Sequence, residues 1–265
     1  MRIATAISAL FLAATALAGT WRDQLSPPQP GPFPPPRPLH INYRFGWGII
    51  PAGAAEADMS LTDAGLLRVV AKGGTTGAVR GLWRLDAEGT SLCRPATLRP
   101  LSGTQREVYS NETVEAKFEF DAEGVTRTRL KKSEAGAKTK RILVPDLFSM
   151  PAAFLWVRSQ RLQTGDTYRC AVFPNSSVYL AEMKVIGRER CEVAKKTYDA
   201  IKLALRVQVM NRKQEMEPHK KFKQALVWFS DDSDRILLKM TADVFVGSVW
   251  MEMDKAEFRD GASRQ

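Results

Sequence analysis

The side chains able to do covalent or metal chemistry are few: three cysteines (Cys93, Cys170, Cys191) and two histidines (His40, His219) in 265 residues. An odd cysteine count allows at most one internal bridge. Cys170 and Cys191 flank a predicted hairpin and are the pair for a bridge if one forms, with Cys93 left over; without a bridge there are three thiols. With no CxxC and only two histidines, a structural zinc site is not expected. Neither histidine lies beside a carboxylate or thiol at ligand spacing, and both read as surface residues. No G-x-S-x-G elbow, HExxH or phosphate loop occurs. Gly73-Gly74-Thr75-Thr76-Gly77 lacks the following lysine and reads as a flexible strand connection. Asp231, Asp232 and Asp234 are a carboxylate cluster of the sort that binds calcium or hydrolyses glycosides. They sit between two apolar runs, however, where Asp-Asp-Ser-Asp is hairpin-turn chemistry. Asp146 and Ser149 would be an acid and a nucleophile with no base; Asp146 reads instead as a helix N-cap. No constellation for catalysis emerges and no cofactor is expected, so the chain reads as a binding protein rather than an enzyme.

Binding candidates are of two kinds. The formal charge is +10, and cations crowd two hairpin tips: Arg127, Arg129, Lys131 and Lys132 in one, Lys220 and Lys221 in the other. They suit phosphate or carboxylate groups of a lipid, glycolipid or anionic polymer; ordinary solvation of the tips is the plain alternative. Phe45, Trp47, Trp83 and Trp228 fall on alternating strand positions and are candidates to line an apolar site inside a curved sheet, with simple core packing as the alternative. The leading expectation is a protein that binds an apolar or amphiphilic envelope component and meets membranes peripherally at most. The alternative is a structural subunit of an envelope assembly that docks through the basic hairpins. No aromatic-interleaved nucleic-acid signature appears, and no nucleic-acid partner is expected.

These residues must be positioned by strands. The chain opens with Met1-Arg2, an apolar run over residues 3–17 and the small-x-small triplet Ala16-Leu17-Ala18, the pattern of an export signal (residues 1–18) cleaved after Ala18. The run is shorter than the about 20 residues a spanning helix needs, so an exported, periplasmic or secreted, product is expected. Residues 19–38 hold eight prolines and read as an extended tether. From Leu39 the apolar residues alternate. Ile41, Tyr43, Phe45 and Trp47 do so, as do Val114, Ala116, Phe118 and Phe120, and Ile201, Leu203, Leu205 and Val207. About a dozen short strands joined by turn-rich loops predict an all-β antiparallel meander curled into a barrel or half-barrel. The apolar, non-alternating stretch 147–157 predicts one short helix. A single β-rich domain spans 39–258, followed by a polar tail, 259–265.

Several stretches carry a family resemblance. Tyr43-Arg44-Phe45-Gly46-Trp47 running into Pro51-Ala52-Gly53, Val144-Pro145-Asp146-Leu147-Phe148-Ser149, and Leu162-Gln163-Thr164-Gly165-Asp166-Thr167-Tyr168 are three of them. Val185-Ile186-Gly187-Arg188-Glu189 and Val227-Trp228-Phe229-Ser230-Asp231-Asp232 continue the series. In this order they resemble the bacterial exported family called domain of unknown function 3108. The resemblance implies an antiparallel sheet wrapped into a barrel or half-barrel with a YmcC-like fold, and no established activity. Lys196-Thr197 departs from the family pattern, where a glycine is usual before the stretch that here reads Tyr198-Asp199-Ala200.

Overall fold

A computed structural model describes residues 20–220, 222–244 and 247–259. The expected export signal, its cleavage site, Lys221 and the last six residues of the tail lie outside the described residues. The strands are β1 (Leu39–Trp47), β2 (Ile50–Leu61), β3 (Leu67–Thr75), β4 (Leu85–Cys93), β5 (Pro100–Tyr109), β6 (Thr113–Phe120), β7 (Gly124–Lys131) and β8 (Lys138–Leu143). The second half adds β9 (Thr167–Val172), β10 (Tyr179–Val193), β11 (Lys196–Met210), β12 (Met216–Pro218), β13 (Phe222–Ser230), β14 (Leu237–Val244) and β15 (Ser248–Phe258). Two helices interrupt them, α1 (Gly77–Leu82) and α2 (Met150–Ser159).

All the strands join one sheet in the order β8-β7-β6-β5-β4-β3-β2-β1-β15-β14-β13-β11-β10-β9, with β12 on β11. The pairing is antiparallel throughout, and β15 returns beside β1. β8 and β9 end the sheet without pairing to each other, so it is an open, barrel-like wrap. Five residues past the end of β8, the backbone of Phe148 pairs with the β9 edge: its N–H donates to Ala171 O (2.9 Å) and its carbonyl accepts from Phe173 N–H (2.8 Å). Behind this pairing Phe118, Val125, Ile142 and Val144 pack against Ala171, Phe173 and Leu180. Among the described residues, no helix is long and apolar enough to cross a membrane.

The predicted helix exists but begins three residues later than expected, at Met150. Asp146 is not its cap: it has φ of +58° and pairs with Arg99 (2.8 Å). Ser149 caps instead, accepting from Ala152 N–H at 3.3 Å, with Pro151 in the first turn where no N–H is needed. The helix is apolar nearly all round because it fills the interior of the wrap. Trp156 is fully buried, its ring against Phe148 and Tyr168, and Val157 and Leu155 meet Val227, Phe229 and Ile201 in the same core. At the other end of α2, Arg235 donates to the carbonyls of Arg158, Gln160 and Arg161, taking up acceptors that the helix leaves unpaired.

Two expectations need correction. The proline segment is extended only after a 3-10 turn at Trp21–Gln24, whose Trp21 is buried, and it is a strap rather than a tether. Trp156 Nε1 donates to Gln29 O (2.9 Å), Arg158 to Pro34 O (2.7 Å), and the Phe33 ring lies under the guanidiniums of Arg158 and Arg235. Prolines supply carbonyls without unpaired N–H groups, so such a segment can lie along a surface at low entropic cost.

The second correction concerns the thiols: all three are free and buried. Cys170 stands opposite Ala181 on β10, whereas Cys191 lies ten residues further along that strand, opposite Tyr198. At about 3.3 Å per residue this is roughly 30 Å, several times the reach of a disulfide. Burial pushes the Cys93 thiol up to about 11 and Cys170 up to about 12, and raises Cys191. At neutral pH the reactive thiolate is therefore scarce. Denatured, unreduced protein is expected to titrate three thiols while the folded protein reacts slowly; one thiol after denaturation would restore the bridge.

Candidate functional site

The inner face of the wrap can be followed row by row from the strand register. One cross-strand row runs Tyr43, Ala55, Gly73, Ala87; the next runs Ile41, Ala57, Ala71, Gly89, Gln105. A third runs Leu39, Met59, Val69, Ser91, Gly103, Phe118. Across β2 to β5 the inward positions are thus mostly Ala and Gly. Side chains this short cannot reach α2, so the sheet and the helix stand apart along the first two rows and meet at the third, where Val69 joins the core around α2 and Ser91 bonds its N-cap Ser149. At Gly73 even a Cβ would meet the Ala55 Cβ at 2.9 Å.

The result is an apolar trough in two adjoining compartments. The larger, about 480 Å³, is walled by Phe45, Leu85, Phe118, Phe120 and Phe173. The smaller, about 270 Å³, is walled by Ile41, Tyr43, Met59, Phe154, Leu155 and Met251. Ala55, Val69, Ala71, Met150 and Pro151 line both, so the first turn of α2 forms the sill between them. Met150, 45% exposed, shows that the sill is reached by solvent. Polar side chains on the walls are mostly satisfied internally. Ser91 and Ser149 share a hydrogen bond of 2.9 Å, Gln105 donates to Glu107 (2.6 Å), and Glu107 also accepts from Tyr109 (3.0 Å). The far end of the smaller compartment is closed by Arg37, Arg158, Arg235 and Asp234; Arg37 and Asp234 form a twofold hydrogen-bonded pair at 2.9 Å.

Of the four aromatic candidates, only Phe45 lines the trough. Trp47 and Trp83 are about half exposed, at one rim. Trp228 is buried on the other face of its strand. Its neighbours Val227 and Phe229 point at α2, while Trp228 packs with Cys191, Val193 and Leu238, and its Nε1 donates to Glu189 (2.8 Å). The ring also carries Lys202 and Lys239 on its faces.

The anion candidates are partly occupied within the fold. Arg127 donates to Asn175 O, and Glu134 draws Arg129, Lys131 and Lys138 together, while Lys132 and Lys220 stand exposed. Asp232 accepts from the N–H groups of Asp234 and Arg235 and so organises the turn, Asp231 pairs with Arg188, and Asp234 holds Arg37. His40 contacts Asp58 (3.0 Å), and His219 packs on Tyr179 and Phe222. Gly73 and Gly74 are strand residues of β3, not a loop.

Fold and site together define an open antiparallel β-barrel-like protein with an internal helix beside an apolar trough. The model of the family described as protein of unknown function DUF3108 matches residues 42–254, and the chain belongs to that family. No curated protein matches the sequence. Among solved structures, it is similar to a β-barrel-like protein of domain of unknown function DUF1849 from Brucella abortus, with a TM-score of 0.58 at 10% identity over 84% of this chain and 98% of that one. At that identity the likeness concerns the fold alone. A candidate lipoprotein from Parabacteroides distasonis (TM-score 0.33, 8% identity, 86% of this chain and 99% of that one) and a candidate exported protein with a YmcC-like fold from Bacteroides fragilis (TM-score 0.31, 8% identity, 86% and 99%) align more loosely and carry no further argument.

Proposed function

We propose that this protein is exported and works by binding, holding the apolar part of an amphiphile, such as a lipid or glycolipid tail, in the trough. The observation that carries this reading is the Ala/Gly floor facing Phe45, Phe118, Phe120 and Met150, a long apolar space with two compartments adjoining at a sill. Its size falls in the range of small-molecule sites, roughly 300–1,000 Å³. A tail that buries about 200 Å² of apolar surface gains roughly 5 kcal/mol before the costs of association. Export rests on the N-terminal apolar run and Ala16-Leu17-Ala18.

The test uses a fluorescent fatty-acid probe and the variant Ala71→Trp. Ala71 lines both compartments and is solvent-exposed, so an indole there fills the space without displacing core. Wild type is expected to bind the probe, and Ala71→Trp to bind roughly tenfold more weakly or worse, with an unchanged unfolding midpoint. Arg68→Phe, on the opposite face of the same strand, should bind like wild type. A folded wild type that ignores the probe would overturn the reading.

A further inference from the structure

In a fully antiparallel meander, successive turns alternate between two rims. One rim carries the loops at residues 47–51, 75–85, 109–113, 131–138, 173–179, 210–222 and 244–248; the other carries those at 61–67, 93–100, 120–124, 143–150, 159–167, 193–196 and 230–237. The two rims differ in chemistry. Among the described residues, the first set of loops holds eight Lys and Arg against four Asp and Glu, and the second six against eight.

Exposed apolar side chains are sorted in the same way. Eleven large ones are exposed among the described residues, and six of them gather in one sector of the basic rim: Trp47, Ile49, Ile50, Leu82, Trp83 and Val249. Trp47 is paired across strands with both Ile50 and Val249, and α1, which ends at Leu82, packs beside β2. Ile49 is 98% and Leu82 91% exposed, so both stand clear of the body on their tips.

We propose that this sector docks the protein on the surface of an anionic phospholipid bilayer. Isolated aliphatic tips enter the acyl boundary, indole rings belong at headgroup level, and flanking cations meet anionic headgroups. A protein partner would call for a broad, shape-matched face; here the apolar groups protrude singly from separate turns of the more cationic rim, with Arg80 and Arg84 inside the sector gathered around Asp86 and the remaining cations on neighbouring loops of the same rim. The sector also adjoins the trough. Phe45 and Leu85, which wall its larger compartment, lie two residues from Trp47 and Trp83 along the chain. Docking does not depend on the trough holding a ligand.

Co-sedimentation with vesicles tests this. Wild type is expected to sediment with vesicles of mixed phosphatidylglycerol and phosphatidylcholine, less with phosphatidylcholine alone, and less with the mixture as salt screens the cations. The double variant Ile49→Asp/Leu82→Asp should lose roughly tenfold or more in affinity while keeping the wild-type unfolding midpoint. Leu61→Asp, exposed on the opposite rim, should bind like wild type, and so should Ala71→Trp, which separates docking from the trough. Failure of wild type to bind the mixed vesicles, or unchanged binding by the double variant, would overturn the proposal. So would wild-type self-association abolished by the double variant without any vesicle binding, which would make the sector a protein interface.

Discussion

Replacing Trp156 by alanine is expected to lower the unfolding midpoint by roughly 10 °C. Trp156 is the largest side chain wholly removed from solvent, and it sits on the one helix that fills the wrap. Its ring touches Phe148, whose backbone pairs with β9 just past the end of β8, and Tyr168 on β9. Truncation therefore leaves a cavity in the core beside β9 and strips Gln29 O of its shorter donor, leaving it only Gln160 Nε2 at 3.2 Å. A fully buried tryptophan lost in this way costs about 3–5 kcal/mol, and each kcal/mol is worth about 2–4 °C in a domain of this size. Trp83→Ala is the matched control: half exposed, it should shift the midpoint by no more than about 2 °C. Thermal unfolding followed by circular dichroism reads both. Equal shifts would mean that α2 is not what holds the interior.

The strands that the sequence conceals and the site that it conceals have a common origin. Alternation is plain wherever an inward row faces α2 or the opposite wall, as at Ile201, Leu203 and Leu205 or at Ala116, Phe118 and Phe120. β4 has the same period, but its inward residues are Leu85, Ala87, Gly89, Ser91 and Cys93, which are mostly too small to register as an apolar stripe. On β5 the corresponding positions are Gly103, Gln105, Glu107 and Tyr109. Short or polar side chains there leave the trough unfilled, and they also blur the hydrophobic period on which strand reading relies. A run of small residues at period two, Ala55, Ala57, Ala71, Gly73, Ala87 and Gly89, was the available signal. Aromatic residues drew attention instead to Trp47, Trp83 and Trp228, two of which lie at one rim and one behind the wrap. Phe45 was legible because the trough still needs a wall. The strap was hidden for another reason. Eight prolines specify an extended chain, but nothing in their spacing says what it lies against, and its partners, Arg158, Ser159 and Asp234, are more than a hundred residues away.

Deleting residues 20–38 should destabilise the domain by an amount on the order of 5 kcal/mol, whereas removing a tether would change nothing. The strap satisfies groups that have little other access to solvent. Arg158 is 5% exposed and directs Nη1 at Pro34 O, while Nε and Nη2 go to Asp234 O. Arg37 forks onto the Asp234 carboxylate with side chains only 8% and 12% exposed. Gly31 N–H donates to Ser159 Oγ, and Phe33 N–H to Ser159 O, near the last turn of α2. Desolvation, followed by the neighbouring charge of Arg235, already lowers Arg158 to about 10. Without Phe33 and Asp234's partner, two adjacent guanidiniums would face each other with one ring and one cation–carboxylate pair fewer. Unpaired buried charge is among the costliest losses a domain can suffer. The double variant Phe33→Ala/Arg37→Ala isolates this part, because it keeps the strap's length and backbone while removing the stack and the fork. It should reproduce a large share of the loss measured by urea unfolding with an unchanged m-value. The family match begins at residue 42 and leaves the strap out; a protein beginning at residue 39, with β1 intact, should be markedly less stable than one beginning at residue 20. Equal stability of the two would return residues 20–38 to the role of a tether.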